Sequence, residues 1–331
     1  MAVSIEDIKK LRAMTGAGLA DVKKALTEAE GDFDKAKDLL RERGLAIAAK
    51  RSDRETSNGC VLVKSENAFS AMIALKCETD FVANGADFIA MVQQILDAAV
   101  AAKAQSLDEV KALKIGDQDA ASMVTQRSGI TGEKMEIDGY NFIEGENVEV
   151  YDHMNKHTLA TMVQLNQNNA EAGHKVAMQV AAMKPVALNE ESVSQATKDE
   201  ELKVAIEKTK EEQIARQVNV ALKKAGINPA HVDSEDHIES NTKKGWLTEE
   251  QAAQAREIIK TEGEKAAANL KEQMIQNIAK GRMAKFFKEN CLVDQEFQFA
   301  DGDKISVKDW LKAQDKDLAI VDYKRFTLVA D

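Results

Sequence analysis

Side chains able to do covalent chemistry are few in this chain of 331 residues, and they are scattered. Cys60, Cys77 and Cys291 form no CxxC pair and no spacing suited to zinc, so they read as ordinary thiols of a reducing compartment. His153, His157, His174, His231 and His237 stand in polar surroundings with no Ser or Cys motif beside them, and no organised general base is readable. His153 and His157 are close in sequence, but a hairpin turn expected between them removes the argument for a shared metal. Cys77 as a thiol nucleophile lacks a histidine to activate it. Neither GxxxxGK(S/T) nor GxGxxG occurs, and Gly16-Ala17-Gly18 is too short to cradle a phosphate. The expectation is a protein that is not an enzyme, with no cofactor and no metal of its own.

One segment offers a different kind of chemistry. Thr79-Asp80-Phe81-Val82-Ala83-Asn84 lies where a strand pattern gives way to a helical one. It has two readings. Thr79 or Asp80 caps the following helix and Phe81 folds inward as a hydrophobic staple, or an acid and an aromatic on a short loop form a wedge that enters another protein. The corresponding junction later in the chain, Asn166-Gln167-Asn168-Asn169-Ala170, has neither acid nor aromatic. A staple demanded by the scaffold would be present in both copies, which favours the wedge.

The elements that must hold this segment follow from periodicity. Ser4 caps a first helix with Ile5, Ile8, Leu11 and Met14 on its inner face. A second carries Leu19, Val22, Leu26 and Ala29. Asp32 caps a third, with Phe33, Ala36, Leu39 and Leu40 inward and Gly44 as its stop. So small a bundle presents a face to a partner more readily than it encloses a pocket. From Gly59 the period becomes two: Cys60–Val63 and Phe69–Cys77 read as a hairpin, with Phe69, Ala71, Ile73, Leu75 and Cys77 on one face. Phe88, Met91, Val92, Ile95, Leu96 and Ala99 then form a helical stripe. Val148–Tyr151, Thr158–Leu165 and a helix through Val176, Val180 and Met183 repeat that order, which points to a duplicated core. Residues 190–280 read as two long, narrowly striped helices in an antiparallel hairpin, projecting as an arm. After Gly281 the chain is expected to turn, form a short helix at Ser306–Leu311 and close with a strand over Ala319–Leu328.

Composition sets the class. Apolar residues make up 44% and charged ones 31%, with only two prolines and long Ala, Glu, Lys and Gln stretches, so a helix-rich α+β protein is expected. No apolar run approaches a membrane span, and Met1–Asp7 lacks the pattern of a secretion signal. A cytoplasmic location is the expectation. The formal net charge is −11, while residues 1–54 hold 12 basic and 10 acidic side chains. An acidic body with 5% aromatics argues against a nucleic-acid platform.

Two segments resemble the bacterial elongation factor Ts family: Leu11-Arg12-Ala13-Met14-Thr15-Gly16-Ala17-Gly18-Leu19-Ala20-Asp21-Val22-Lys23-Lys24-Ala25-Leu26, and Thr79-Asp80-Phe81-Val82-Ala83. Val176-Ala177-Met178-Gln179-Val180-Ala181-Ala182-Met183-Lys184-Pro185 and Gly281-Arg282-Met283 are similar to further family segments in the same order. The resemblance implies a three-helix domain like a ubiquitin-associated (UBA) bundle over 1–45, a linker over 46–58, and a duplicated core with antiparallel sheets. The core halves would be 59–147, and 148–188 with 281–331; a coiled-coil insertion would fill 189–280. It also implies a guanine nucleotide exchange factor for elongation factor Tu, met both GDP-bound and nucleotide-free, with a homodimer through the arm as a further implied contact and no direct contact with nucleic acid or membrane. In the family the Asp-Phe pair enters near the GTPase's Mg²⁺ and loosens metal and then GDP. Those roles fall on Asp80 and Phe81, supported by Thr79 and Val82; Arg12, Leu19 and Lys23 would face the GTPase domain. The chain departs from the pattern in its long arm, in Ala20 where relatives often carry Met, and in lacking a C-terminal helix that some members add. The alternative is a UBA-like, coiled-coil adaptor without exchange activity.

Overall fold

The computed structural model describes residues 3–300, 302 and 304–328. The first two residues of the segment read for a secretion signal lie outside them, as does the end of the expected 281–331 half. The described residues divide into two compact units: one runs to Leu188 and resumes at Glu296, the other is Asn189–Gln295.

The first unit begins with α1 (Ile5–Thr15), α2 (Leu19–Glu28) and α3 (Phe33–Ala49). Ser4 and Asp32 cap α1 and α3 through their side chains, as their positions predict. The inner face of α1 is narrower than expected: Ile8 and Leu11 are buried, whereas Ile5 and Met14 are exposed. Successive steps of three residues drift roughly 60° around a helix, so a run of four such positions spans half the circumference and only its middle faces the core. Gly44 does not stop α3. The helix continues through residues expected to be linker, because Gly44 lies where α3 crosses a later helix.

The core opens with the hairpin β1 (Asn58–Glu66) and β2 (Phe69–Cys77), then a single turn, α4 (Asp80–Ala83), and the long α5 (Ala86–Ala102). A short α6 (Leu107–Ala112) and a two-stranded ribbon, β3 (Lys114–Ile115) with β4 (Gln118–Asp119), lead into α7 (Ala120–Thr131). Strand β5 (Met135–Glu144) then pairs antiparallel with β2. The second half repeats the order: hairpin β6 (Val148–Asp152) and β7 (Leu159–Leu165), then helix α8 (Ala170–Met183).

In the second unit, α9 (Gln195–Lys224) packs against α11 (Glu249–Ala268) and α12 (Glu272–Asn290), with a short α10 (Glu235–Lys243) before α11. Its far end has its own apolar cluster, including Val218, Leu222, Ile227, Ile238 and Leu247. The returning side is broken at Asn269–Lys271 rather than continuous, and α12 runs through Gly281 without the expected turn, so this unit ends at Gln295, past the boundary expected at 280. A mid-helix glycine costs about 1 kcal/mol, which burial of Ile275 and Ala279 on the same helix outweighs.

Back in the first unit, α13 (Val307–Gln314) is capped by Ser306, and β8 (Ile320–Thr327) joins β7 antiparallel. The sheets are therefore ordered β1-β2-β5 and β6-β7-β8, each a hairpin whose second strand is central. They pack face to face. Met72, Ile143 and Met162 share one apolar cluster, and Val61, Ala74 and Ala160 another. Helix α5 covers the outer face of the first sheet and α8 that of the second. Strand β2 is consequently buried on both faces, where alternation alone suggested one. Gly139 of β5 makes the close sheet packing possible: a Cβ there would sit 3.0 Å from Phe326 Cδ2 and closer still to the ring edge.

Candidate functional site

The segment Thr79–Asn84 is built as one helical turn between β2 and α5. Thr79 has extended backbone, and its Oγ1 accepts from Val82 N at 3.3 Å, which caps α4. Ala83 N donates to Thr79 O at 3.1 Å and Asn84 N to Asp80 O at 2.9 Å. Over a single turn, side chains fan out at about 100° per residue, and this fan decides what the segment shows to water. Ala83 is buried and Val82 packs against the core beside it. Asp80 is exposed, and Phe81 has 90% of its surface in solvent. The next aromatic, Phe88 on α5, is fully buried. Capping by Thr79 is real; the inward staple is not formed by Phe81.

Two carboxylates that sequence reasoning missed hold this turn. Glu133, just after α7, accepts from Thr79 Oγ1 at 2.6 Å and from Thr79 N at 3.1 Å. Glu78 reaches the other way: its Oε1 accepts from Lys134 N at 2.6 Å and its Oε2 pairs with Arg54 Nη1 at 2.9 Å. The backbone bond from Lys134, with Arg54 assisting, holds the Glu78 carboxyl below its ordinary range. Adjacency to the turn could have flagged Glu78. Nothing local could flag Glu133, which lies 54 residues from Thr79. Beneath the turn, Cys77 is buried with its Sγ 3.2 Å from Thr79 O, and burial pushes its thiol up to about 12. That is the opposite of an activated nucleophile.

The second set of candidates lies on the bundle. Arg12 is in the last turn of α1, Leu19 opens α2 and Lys23 follows one turn later; all three are exposed. Leu19 is 57% exposed and Met14, expected inside, 55%. No hydrogen bond or ion pair among the described residues joins this group to Thr79–Val82. Bundle and core meet at the crossing of α3 and α7, among other contacts, and there Gly44 faces Gly129. A Cβ on Gly129 would fall inside contact distance of Gly44 Cα and 2.8 Å from its carbonyl carbon.

The histidines are less isolated than expected, because strand pairing and turns bring partners the sequence does not show. His157 pairs with Asp152, His153 and His174 pack edge-on against Tyr151, His237 pairs with Asp233, and His231 lies against Trp246. Among the described residues, no group of three or more His, Cys, Asp or Glu side chains is placed to hold a metal ion, and no helix is long and apolar enough to cross a membrane.

A sequence model of the family described as elongation factor TS matches residues 78–330. Curated relatives named elongation factor Ts are 59% identical in Bacteroides fragilis and 56% in Phocaeicola vulgatus, each alignment covering 100% of both chains. The chain belongs to the elongation factor Ts family. The family match opens at Glu78, immediately before Thr79, while the full-length relatives extend the likeness over the bundle. An elongation factor Ts of Porphyromonas gingivalis is 37% identical, again over 100% of both chains. Alignments of 331–333 residues leave no room for a large insertion, so the long second unit is shared with these members of the elongation factor Ts family.

Proposed function

We propose that this chain is a guanine nucleotide exchange factor for the translational GTPase elongation factor Tu, acting by insertion of Asp80 and Phe81 beside the GTPase's Mg²⁺ and nucleotide site. The observation that supports the reading most directly is the exposure of Phe81 on a turn whose first residues are held by Glu133 and Glu78. An outward phenyl ring gains by burial in a partner what it forgoes in its own core, roughly 1.5–3 kcal/mol. Each tenfold gain in nucleotide release requires about 1.4 kcal/mol from the barrier. Phe81 can therefore supply one to two decades, with loss of Mg²⁺ and the rest of the interface supplying more. Asp80 brings a carboxylate that competes with the GDP phosphates for the metal and repels those phosphates, so that metal and nucleotide part. Val82 and Thr79 hold the turn, and Arg12, Leu19 and Lys23 form a second contact on the GTPase domain.

The test is release of a fluorescent GDP analogue from elongation factor Tu, chased with excess GDP. Phe81→Ala is expected to lower stimulated release about tenfold or more, as loss of that burial energy implies, while the circular dichroism spectrum and unfolding temperature stay put. Unchanged release with the variant would sink the wedge. Absence of any stimulation by the parent chain would favour the adaptor reading instead.

A further inference from the structure

We infer that Glu133 is a positioning residue for exchange: it presets the turn that carries Asp80 and Phe81 before a partner arrives. The inference rests on the exchange reading above. Isolated helices this short do not hold themselves, since nucleation fixes several dihedrals for one hydrogen bond. The four residues of α4 therefore need an external anchor, and the anchor has to act at Thr79, the residue that caps them.

Glu133 meets that need at two atoms. By accepting the Thr79 hydroxyl hydrogen bond at Oε1, it turns the oxygen's lone pairs toward Val82 N, so the hydroxyl donates outward and accepts from the helix at once. By accepting Thr79 N at Oε2, it fixes the backbone at the end of β2. Glu133 is itself placed by α7: Gly132 ends that helix at φ 74, Glu133 N donates to Thr131 Oγ1 at 3.2 Å, and Ser128 Oγ donates to Glu133 O at 2.5 Å. Glu78, one residue before Thr79, binds Lys134 N, one residue after Glu133, so the two strand-end segments are laced in both directions. The division of labour differs between them. Glu78 also carries the ion pair with Arg54, whereas Glu133, among the described residues, makes no ion pair and spends both side-chain oxygens on Thr79. Among the described residues, Glu133 makes no hydrogen bond or ion pair to Asp80 or Phe81, and its carboxylate acts on the turn through Thr79.

The full-length chain is compared as parent, Glu133→Ala, Glu133→Gln, Thr79→Val, Phe81→Ala and the Glu133→Ala/Phe81→Ala double variant. Stimulated release of the fluorescent GDP analogue is measured alongside thermal unfolding and amide exchange at Val82, Ala83 and Asn84 in the free protein. Glu133→Ala is expected to slow release about fivefold and to add less than about twofold in the Phe81→Ala background, as coupled residues do. Glu133→Gln keeps one acceptor oxygen and should fall between parent and Glu133→Ala. Thr79→Val, which leaves Glu133 untouched, should match Glu133→Ala. All three should lose amide protection at the turn with unfolding temperature near parent. Full release by Glu133→Ala while Phe81→Ala is slow overturns the inference and spares the wedge, as does a loss that multiplies fully with that of Phe81→Ala. If Phe81→Ala itself releases GDP normally, the wedge fails; slowed release together with lost amide protection in Glu133→Ala then upholds its positioning role through the rest of the turn, and normal release or retained protection overturns it.

Discussion

At position 81 an apolar ring stands in water beside a carboxylate, on a turn whose neighbours Val82 and Ala83 point into the core. A ring so placed adds little to its own fold, so removal should shift stability by no more than about 0.5 kcal/mol; chemical denaturation of Phe81→Ala checks this apart from any exchange assay. Glu78 yields a second residue-scale expectation. Its carboxyl titrates below its ordinary 4.5 because the charged form accepts the Lys134 N–H and faces Arg54. The folded value lies under the unfolded one, so these bonds stabilise the fold above 4.5 and their contribution is lost as pH falls through the lower, folded value. A carboxyl-detected NMR titration should place the Glu78 midpoint below 4.5, and Arg54→Gln should raise it only in part, since the backbone donor is the larger cause. A midpoint at or above 4.5 in the parent chain would contradict the clamp. Cys60 and Cys77, both pushed up to about 12 by burial, should resist thiol reagents at pH 8 until the chain unfolds.

At the scale of elements, the crossing of α3 over α7 ties the bundle to the helix that precedes Glu133. The two glycines there are not equivalent. A Cβ on Gly44 would rest 3.6 Å from Gly129 Cα, an ordinary contact, whereas one on Gly129 would run into the Gly44 backbone. Gly44→Ala should thus be neutral or stabilising by up to about 1 kcal/mol, from helix propensity. Gly129→Ala should destabilise by about 1–3 kcal/mol, as overpacked contacts do. Equal unfolding midpoints for the two variants would show that the helices part without cost. The same crossing explains why Gly44, whose residue type suggests a C-terminal stop, sits inside a helix: the glycine serves a neighbour, not a turn.

For the molecule as a whole, function depends on linkage between two ligands of the GTPase. A protein that weakens GDP binding must be weakened by GDP to the same degree. Complex with elongation factor Tu should therefore survive copurification without nucleotide and dissociate when GDP and Mg²⁺ are added; calorimetric affinities measured both ways round the cycle should differ by one common factor. Indifference of the complex to GDP would remove the basis for catalysed exchange. On the proposed reading, the double-sheet core is the support that braces the turn. It anchors both β2, which leads into Thr79, and β5, which begins just after Glu133.

Local information in the sequence determined a good deal: the capped helices of the bundle, the two hairpins each followed by a helix, and the departure of Thr79–Val82 from its counterpart at Asn166–Ala170. These depend on caps, period and turn residues within a few positions of one another, interactions that a linear reading can see. The direction of Phe81, the partners of the histidines, the burial of both faces of β2 and the anchoring of Thr79 by Glu133 were settled only by tertiary structure. The burial of β2 and the anchor at Thr79 depend on atoms brought together from distant stretches of chain, and even the short-range partners of His157 and His237 depend on the exact backbone path, which periodicity does not fix.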